Sequence, residues 1–214
     1  VLMRSGRWHY LHAAHSVGWV YDPHWTPPLS VRKARLFRDE KPRLVITRRG
    51  PAPATGEVQD LGESYPLVSD SDGVRRLEYV APTVSGLQSQ AIAAVPGIER
   101  GWLPFTRRNL LRLAFSQHRR GYGWGESKGL TDCSRLLLDA FRPFGIFLGR
   151  HSSEQARSGS AVFDLSSKTP ARKRDIIRHA AKTGVVLLYM RGHIMLYLGQ
   201  TEAGRPMALH AFAE

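Results

Sequence analysis

Apolar positions recur along this chain in two periods, and the change between them falls near residue 100. Before that point short alternating runs predominate. Trp8-His9-Tyr10-Leu11-His12 and Val17-Gly18-Trp19-Val20-Tyr21 carry aromatic and β-branched side chains between polar turns, the pattern of half-buried strands. Asp22-Pro23 and Trp25-Thr26-Pro27-Pro28 end that unit, because proline has no N–H to give to a ladder. Residues 43–47 read as a further strand, 51–56 as a loop, 61–67 as a short strand and turn, and 76–80 as an alternating strand. The run Ser69-Asp70-Ser71-Asp72-Gly73 closes on Asp-Gly, a hairpin signal. Several short strands without a helical period predict small β-barrels.

Beyond residue 100 the period becomes helical. Thr106 is placed to cap a helix whose inward face is Leu110, Leu111, Ala114 and Phe115. After the glycine-rich turn Gly121-Tyr122-Gly123-Trp124-Gly125, Asp132 stands where an N-cap belongs, before an apolar helix over 133–141 that Pro143 and Gly145 stop. Residues 172–182 form another candidate helix with Ile176, Ile177 and Ala180 inward. Segments 185–189, 193–198 and 207–212 read as strands with Gly192, Gly199 and Gly204 at the turns. Helices followed by an antiparallel meander make an α+β fold.

Composition narrows the class. The chain has 214 residues, 42% hydrophobic and 23% charged, as folded chains do, and no run approaches the roughly 18–20 apolar residues of a membrane helix. It opens on Val1 inside a strand pattern, which predicts a piece of a longer polypeptide. With 31 Lys and Arg against 18 Asp and Glu the net charge is +13, so an anionic partner is expected: nucleic acid, an anionic membrane face or an acidic wall polymer. The basic residues are spread along the chain without a recognition helix or stacking motif, which argues against nucleic acid. The one cysteine, Cys133, excludes a disulfide framework and a Cys-rich zinc site.

Cys133 follows a cap residue, in the first turn of its predicted helix. Unpaired N–H groups and the positive end of the helix dipole favour thiolate over thiol there. A lone cysteine is also compatible with simple apolar packing. A thiolate nucleophile needs a histidine beside it to hold the ion pair and protonate the leaving amine. His193 begins an apolar strand, and His210 falls on the next one, from which it would reach the far ring nitrogen of His193 and fix its orientation. His151 and His179 read as surface residues.

Taken together, Tyr122-Gly123-Trp124-Gly125, Thr131-Asp132-Cys133-Ser134, Gly145-Ile146 through Leu148, Arg150, Ser152 and Gln155, Gly192-His193-Ile194-Met195-Leu196-Tyr197-Leu198-Gly199 and Leu209-His210 resemble the NlpC-type papain-like cysteine peptidases of bacterial cell-wall metabolism. The lead-in Leu103-Pro104-Phe105-Thr106 resembles the subgroup with SH3-like barrels upstream, the γ-D-glutamyl-L-diamino-acid endopeptidases. The resemblance implies the remainder of a first SH3-like barrel over 1–37, a second over 38–98, and an α+β papain-like domain over 99–214 that lacks its last strands. It implies Cys133 as nucleophile, His193 as base and then acid, and His210 as its orienter. The Cys133 N–H and the Tyr122 hydroxyl would form the oxyanion site, with Asp132, Ser134, Arg150, Ser152 and Ser153 around the peptide. Arg150 and Gln155 line the cleft or stabilise its loop. Arg135 departs from the family, which carries a small residue there; it would favour acidic peptides or point to solvent.

The implied substrate is the L-Ala-γ-D-Glu-diamino acid peptide of peptidoglycan, cut by a monomer of the cell envelope without metal, cofactor or nucleic acid. Two further readings stay open: an amidase or acyltransferase with the same triad, and a non-catalytic wall-polymer-binding module with a relic papain-like domain.

Overall fold

The structure is a computed structural model, described here for residues 1–12, 17–22, 42–51, 58–80 and 87–213. The expected terminator 25–28, the boundary at 37/38, the basic stretch 31–41 and the loop positions 52–56 lie outside the described residues. Two compact units emerge, one of residues 1–103 with 143–145 and one of 104–142 with 146–214.

The first unit is built of strands. β1 (Met3–Ser5), β2 (Trp8–His12) and β3 (Val17–Tyr21) form an antiparallel sheet in that order, with β2 and β3 at the bounds their alternation predicted. The register sets Trp8 opposite Tyr21 and Tyr10 opposite Trp19, with ring centroids 5.1 and 5.2 Å apart. Cross-strand ring pairs of this kind are what hold a small sheet together.

A second sheet uses β4 (Arg43–Ile46), β7 (Ser64–Ser71), β8 (Val74–Val80), β9 (Leu87–Ala93) and β10 (Ile98–Arg100) in the order β10-β4-β7-β8-β9, with β5 (Gly50–Pro51) and β6 (Val58–Gln59) paired separately. Its core is Leu44, Ile46, Leu67, Leu77, Ile92 and Ile98. Asp72-Gly73 does make the β7–β8 turn, both residues taking positive φ (52° and 75°), as a two-residue hairpin requires. Ser69–Ser71, expected in that turn, extend the strand instead. β9 and β10 had no signal in the sequence, because Leu87-Gln88-Ser89-Gln90-Ala91-Ile92-Ala93 carries little β-branched or aromatic character; pairing along the whole of β8 makes β9 a strand.

The second unit holds the helices of the described residues. α1 (Arg107–Ser116) is capped by Thr106, whose hydroxyl accepts from the Asn109 N–H at 3.2 Å. Its inward face is Leu110, Leu113 and Ala114 with Gln117 just beyond the helix; Leu111 is half-buried and Phe115 is 48% exposed. The expected face was therefore rotated. A buried Gln117 amide causes the difference, since it donates to the Leu136 carbonyl at 3.0 Å and so belongs inside.

α2 (Cys133–Phe141) is the centre of the unit, buried from Cys133 to Phe141 save for a half-buried Arg135, and both α1 and the sheet pack on it. A helix apolar on nearly every face belongs in a core. α3 (Ser152–Gln155) is one turn long. α4 (Pro170–Thr183), capped by Thr169, has a half-buried face of Ile176, Ile177 and Ala180 and no fully buried residue. β11 (Leu187–Met190), β12 (His193–Gln200) and β13 (Pro206–Leu209) make the meander, in that order and antiparallel. An irregularity between Tyr197 and Gly199 shifts the β12–β13 register, and β13 ends at Leu209, so His210 is the first residue beyond the strand rather than within it.

Candidate active site

The site grows from the loop between α1 and α2. Residues 121–131 close on themselves: the Thr131 N–H donates to the Gly121 carbonyl at 3.1 Å and the Gly123 N–H to the Thr131 carbonyl at 2.9 Å. Gly123 is obligatory in this turn, because a Cβ there would stand 2.7 Å from Leu130 Cβ and 2.8 Å from the Ser127 carbonyl. Four residues of the loop take left-handed conformation, Gly125, Glu126, Lys128 and Gly129, with φ between 56° and 71°. For Glu126 and Lys128 that conformation costs energy, which surrounding contacts have to offset.

The loop delivers Tyr122 beside the start of α2. Burial, then the charges of Cys133 and Asp132, push the Tyr122 hydroxyl above its ordinary pKa, so it stays a proton donor. Cys133 itself is the first residue of α2, 6% exposed, with the orphan N–H groups of the helix around it.

Asp132 caps α2 and does more than cap it. Its Oδ1 accepts from the Arg135 N–H (2.8 Å), the Ser134 hydroxyl (3.1 Å) and Arg150 Nη1 (3.2 Å), while Oδ2 accepts from the Gly125 N–H (3.1 Å) and Arg150 Nη2 (2.7 Å). Burial pushes this carboxyl up, but the Arg150 bonds, the Arg135 amide, the Arg150 charge and Ser134 outweigh it and hold the group below the usual carboxylate range. Arg150 also reaches the Ser134 hydroxyl at 2.9 Å and Glu126 at 2.7 Å. Glu126 in turn takes Arg135 at 2.5 Å, Arg135 takes Asp139 at 2.6 Å, and Asp139, fully buried, takes Arg120 at 3.0 Å. The result is an alternating line of three cations and three anions, Arg120, Asp139, Arg135, Glu126, Arg150 and Asp132, that ties the left-handed loop to α2.

Arg135 thus neither points to solvent nor offers its charge to a peptide. Its side chain is 13% exposed and bonded to two carboxylates. Glu126, Asp139 and Arg120 were not anticipated as parts of the site. Only the i,i+4 spacing of Arg135 and Asp139 could have announced any of it. Gln155 is buried and donates to the Ser134 and Gly149 carbonyls, both at 2.8 Å. It and Arg150 do not bond each other; each reaches Ser134. Ser152 and Ser153 are the half-buried first residues of α3, and no side-chain hydrogen bond joins them to the Asp132 cluster among the described residues.

The histidines come from the sheet. His193 opens β12, the strand that packs against α2, directly after the Gly192 turn. Its Nε2 lies 3.1 Å from His210 Nδ1. Phe212 stands edge-on to His193 with centroids 5.6 Å apart and against His210 at 5.9 Å, a neighbour the sequence did not single out. Burial, then the nearby His210 charge, lowers the His193 pKa. His151 and His179 are exposed, as read from the sequence. Among the described residues no group of three or more His, Cys, Asp or Glu is placed to hold a metal ion.

A thiol at a capped helix start, a phenol beside it, a histidine opening the strand packed against that helix and a second histidine just beyond the next strand share one α+β domain. Residues 119–211 match the model of the NlpC/P60 family. Among solved structures, an NlpC/P60 endopeptidase from Photobacterium damselae subsp. piscicida is similar at a TM-score of 0.68 and 18% identity, over 94% of this chain and 47% of the other. An NlpC/P60 family protein from Bacillus cereus is similar at 0.60 and 16%, over 97% of this chain and 72% of the other. At such identities the likeness is one of fold. The chain spans about half the length of the Photobacterium protein. No curated protein matches it. Among the described residues no helix is long and apolar enough to cross a membrane.

Proposed function

We propose that this chain is a cysteine endopeptidase that hydrolyses the bond between γ-D-Glu and the diamino acid in peptidoglycan peptides. The observation that carries the reading is the 3.1 Å contact between His193 and His210 in the domain whose lone cysteine opens the central helix. His193 takes the Cys133 proton at Nδ1 while its Nε2–H donates to His210 Nδ1. The thiolate attacks the γ-carbonyl carbon, and the oxyanion is held by the Cys133 N–H and the Tyr122 hydroxyl. The imidazolium then protonates the leaving amine, giving a thioester, and water activated by His193 releases the glutamyl acid and restores the thiol.

Asp132, Ser134 and Arg150 hold the free amine and carboxylate of L-Ala-γ-D-Glu, with Ser152 and Ser153 along the same peptide. Because Asp132 already accepts five hydrogen bonds, an incoming amine shares its oxygens with them. In this reading the three-stranded sheet is the remainder of a first SH3-like barrel and the five-stranded sheet belongs to a second, a reading of the second that the pairing of its first and last strands, β4 and β10, supports. The protein then works as a monomer in the cell envelope, where its substrate lies.

The test is mass spectrometry of L-Ala-γ-D-Glu-diaminopimelate incubated with the chain and with Cys133→Ala. Scission after D-Glu by the parent and none by the variant is expected. Scission elsewhere in the peptide, transfer of its acyl group to another amine, or equal rates for the two chains would overturn the assignment.

A further inference from the structure

The two histidines are not equally well held. Strand pairing sets His193, which opens β12 opposite Met190 of β11 and is half-buried. His210 lacks that support. The β12–β13 register ends at the Leu196–Leu209 pair, so His210 follows the strand on backbone that no ladder pair fixes, and it is exposed. One hydrogen bond joins the rings, 3.1 Å from His193 Nε2 to His210 Nδ1. Net of competition from water, such a bond favours the joined state by no more than about tenfold. A half-turn of either imidazole about its Cβ–Cγ bond also puts a carbon where the bonding nitrogen stood.

Phe212 supplies a second restraint. Its ring centroid lies 5.6 Å from that of His193, edge to face at 80°, and 5.9 Å from that of His210 at 57°. The two imidazoles are themselves 5.1 Å apart at 81°. The three rings therefore close a triangle, every side of it within the range where aromatic rings attract. A triangle restrains more than a pair, because neither imidazole turns without disturbing its contact with Phe212.

Folding gains little from this side chain, since Phe212 is 64% exposed and its burial removes little apolar surface from water. Among the described residues its ring contacts are to the two histidines. The ring carries no charge, so it orients the pair by shape and leaves the protonation state to the imidazoles.

We infer that Phe212 is a positioning residue, whose ring holds His193 and His210 in the orientation that joins Nε2 to Nδ1 and so keeps Nδ1 of His193 for the Cys133 proton. The hold on the rings stands whatever the reaction; its value for catalysis rests on the peptidase reading. The test compares the whole chain with Phe212→Ala, with Phe212→Tyr, which returns the ring, and with Met190→Ala. The last removes the exposed apolar residue paired with His193 across the hairpin.

Exchange of the His193 Nε2 proton with water, followed by NMR, is expected to be about fivefold faster in Phe212→Ala. Phe212→Tyr and Met190→Ala should stay within about twofold of the parent. With L-Ala-γ-D-Glu-diaminopimelate, Phe212→Ala should lose about threefold in kcat at unchanged KM. Unaltered exchange in Phe212→Ala, or the same acceleration in either comparison variant, would overturn the assignment. So would a rise in KM with kcat intact, which would make Phe212 a substrate contact instead. A parent that leaves the peptide whole would sink the peptidase reading alone, and proton exchange would still decide whether Phe212 holds the rings. Thermal melting of Phe212→Ala is expected to match the parent, because the ring is mostly in water, so loss of fold does not imitate loss of orientation.

Discussion

His193 has two ring nitrogens and two different obligations. Nε2 faces His210 at 3.1 Å, and the proposed mechanism gives Nδ1 the Cys133 proton. Burial first, and then the His210 charge, disfavours the imidazolium, so His193 titrates below an ordinary histidine. A neutral imidazole near pH 7 is the form a general base needs. Replacing His210 by Gln removes the charge and keeps a group able to accept from Nε2–H. The His193 titration, followed by the ring C–H resonance in NMR, is then expected to move up. A midpoint that stays put or falls would show that His210 does not act on His193 electrostatically. The pairing was legible in part: the sequence has a histidine at a strand start and a second one seventeen residues and a turn later, but the register shift between Tyr197 and Gly199 left no trace in the pattern.

At the scale of elements, the loop 121–131 and α2 form one device. What could be read beforehand was local. Asp132 as a cap, Thr106 as a cap and Asp72-Gly73 as a turn depend on residues within three or four positions, and each stands where the sequence put it. The ion line was not legible, because its members meet only once Glu126 and Lys128 adopt left-handed conformations that no propensity favours. Glu126 then lies between Arg135 and Arg150, so its two ion pairs are what offsets the strain of the loop. A double-mutant cycle with Glu126→Gln and Arg135→Met, read by urea unfolding, is expected to give a coupling of about 1 kcal/mol. Additive losses would separate the loop from α2. Because Arg135 is already committed to two carboxylates, Arg135→Met should raise KM no more for an acidic peptide than for its neutral analogue. A selective rise for the acidic peptide would return Arg135 to the cleft.

Across the whole molecule the net charge of +13 makes acid the natural stress. As pH falls, carboxylates lose charge while every arginine keeps it, and self-repulsion grows. Asp132 concentrates the effect. Its pKa is lower in the folded chain than in the unfolded one, so the unfolded chain takes the proton first. The stability this carboxylate contributes is therefore complete above the ordinary aspartate pKa and is lost as pH falls through the lower folded value. His193, also depressed, adds a loss of the same sign that begins below the ordinary imidazole pKa. Asp132→Asn leaves Arg150 short of one buried partner, while Glu126 still holds its Nε. That should cost about 3 kcal/mol near neutral pH, the lower end for breaking a buried pair. The variant should also lose the steepest part of the parent's decline between the ordinary aspartate range and more acid pH, since the group that titrates there is gone. Urea midpoints measured for both chains from neutral to acid pH would show the two curves converging as pH falls. Parallel curves would mean that Asp132 stabilises the domain by shape and hydrogen bonding alone, and that its charge, and the line of arginines behind it, contributes nothing to the fold.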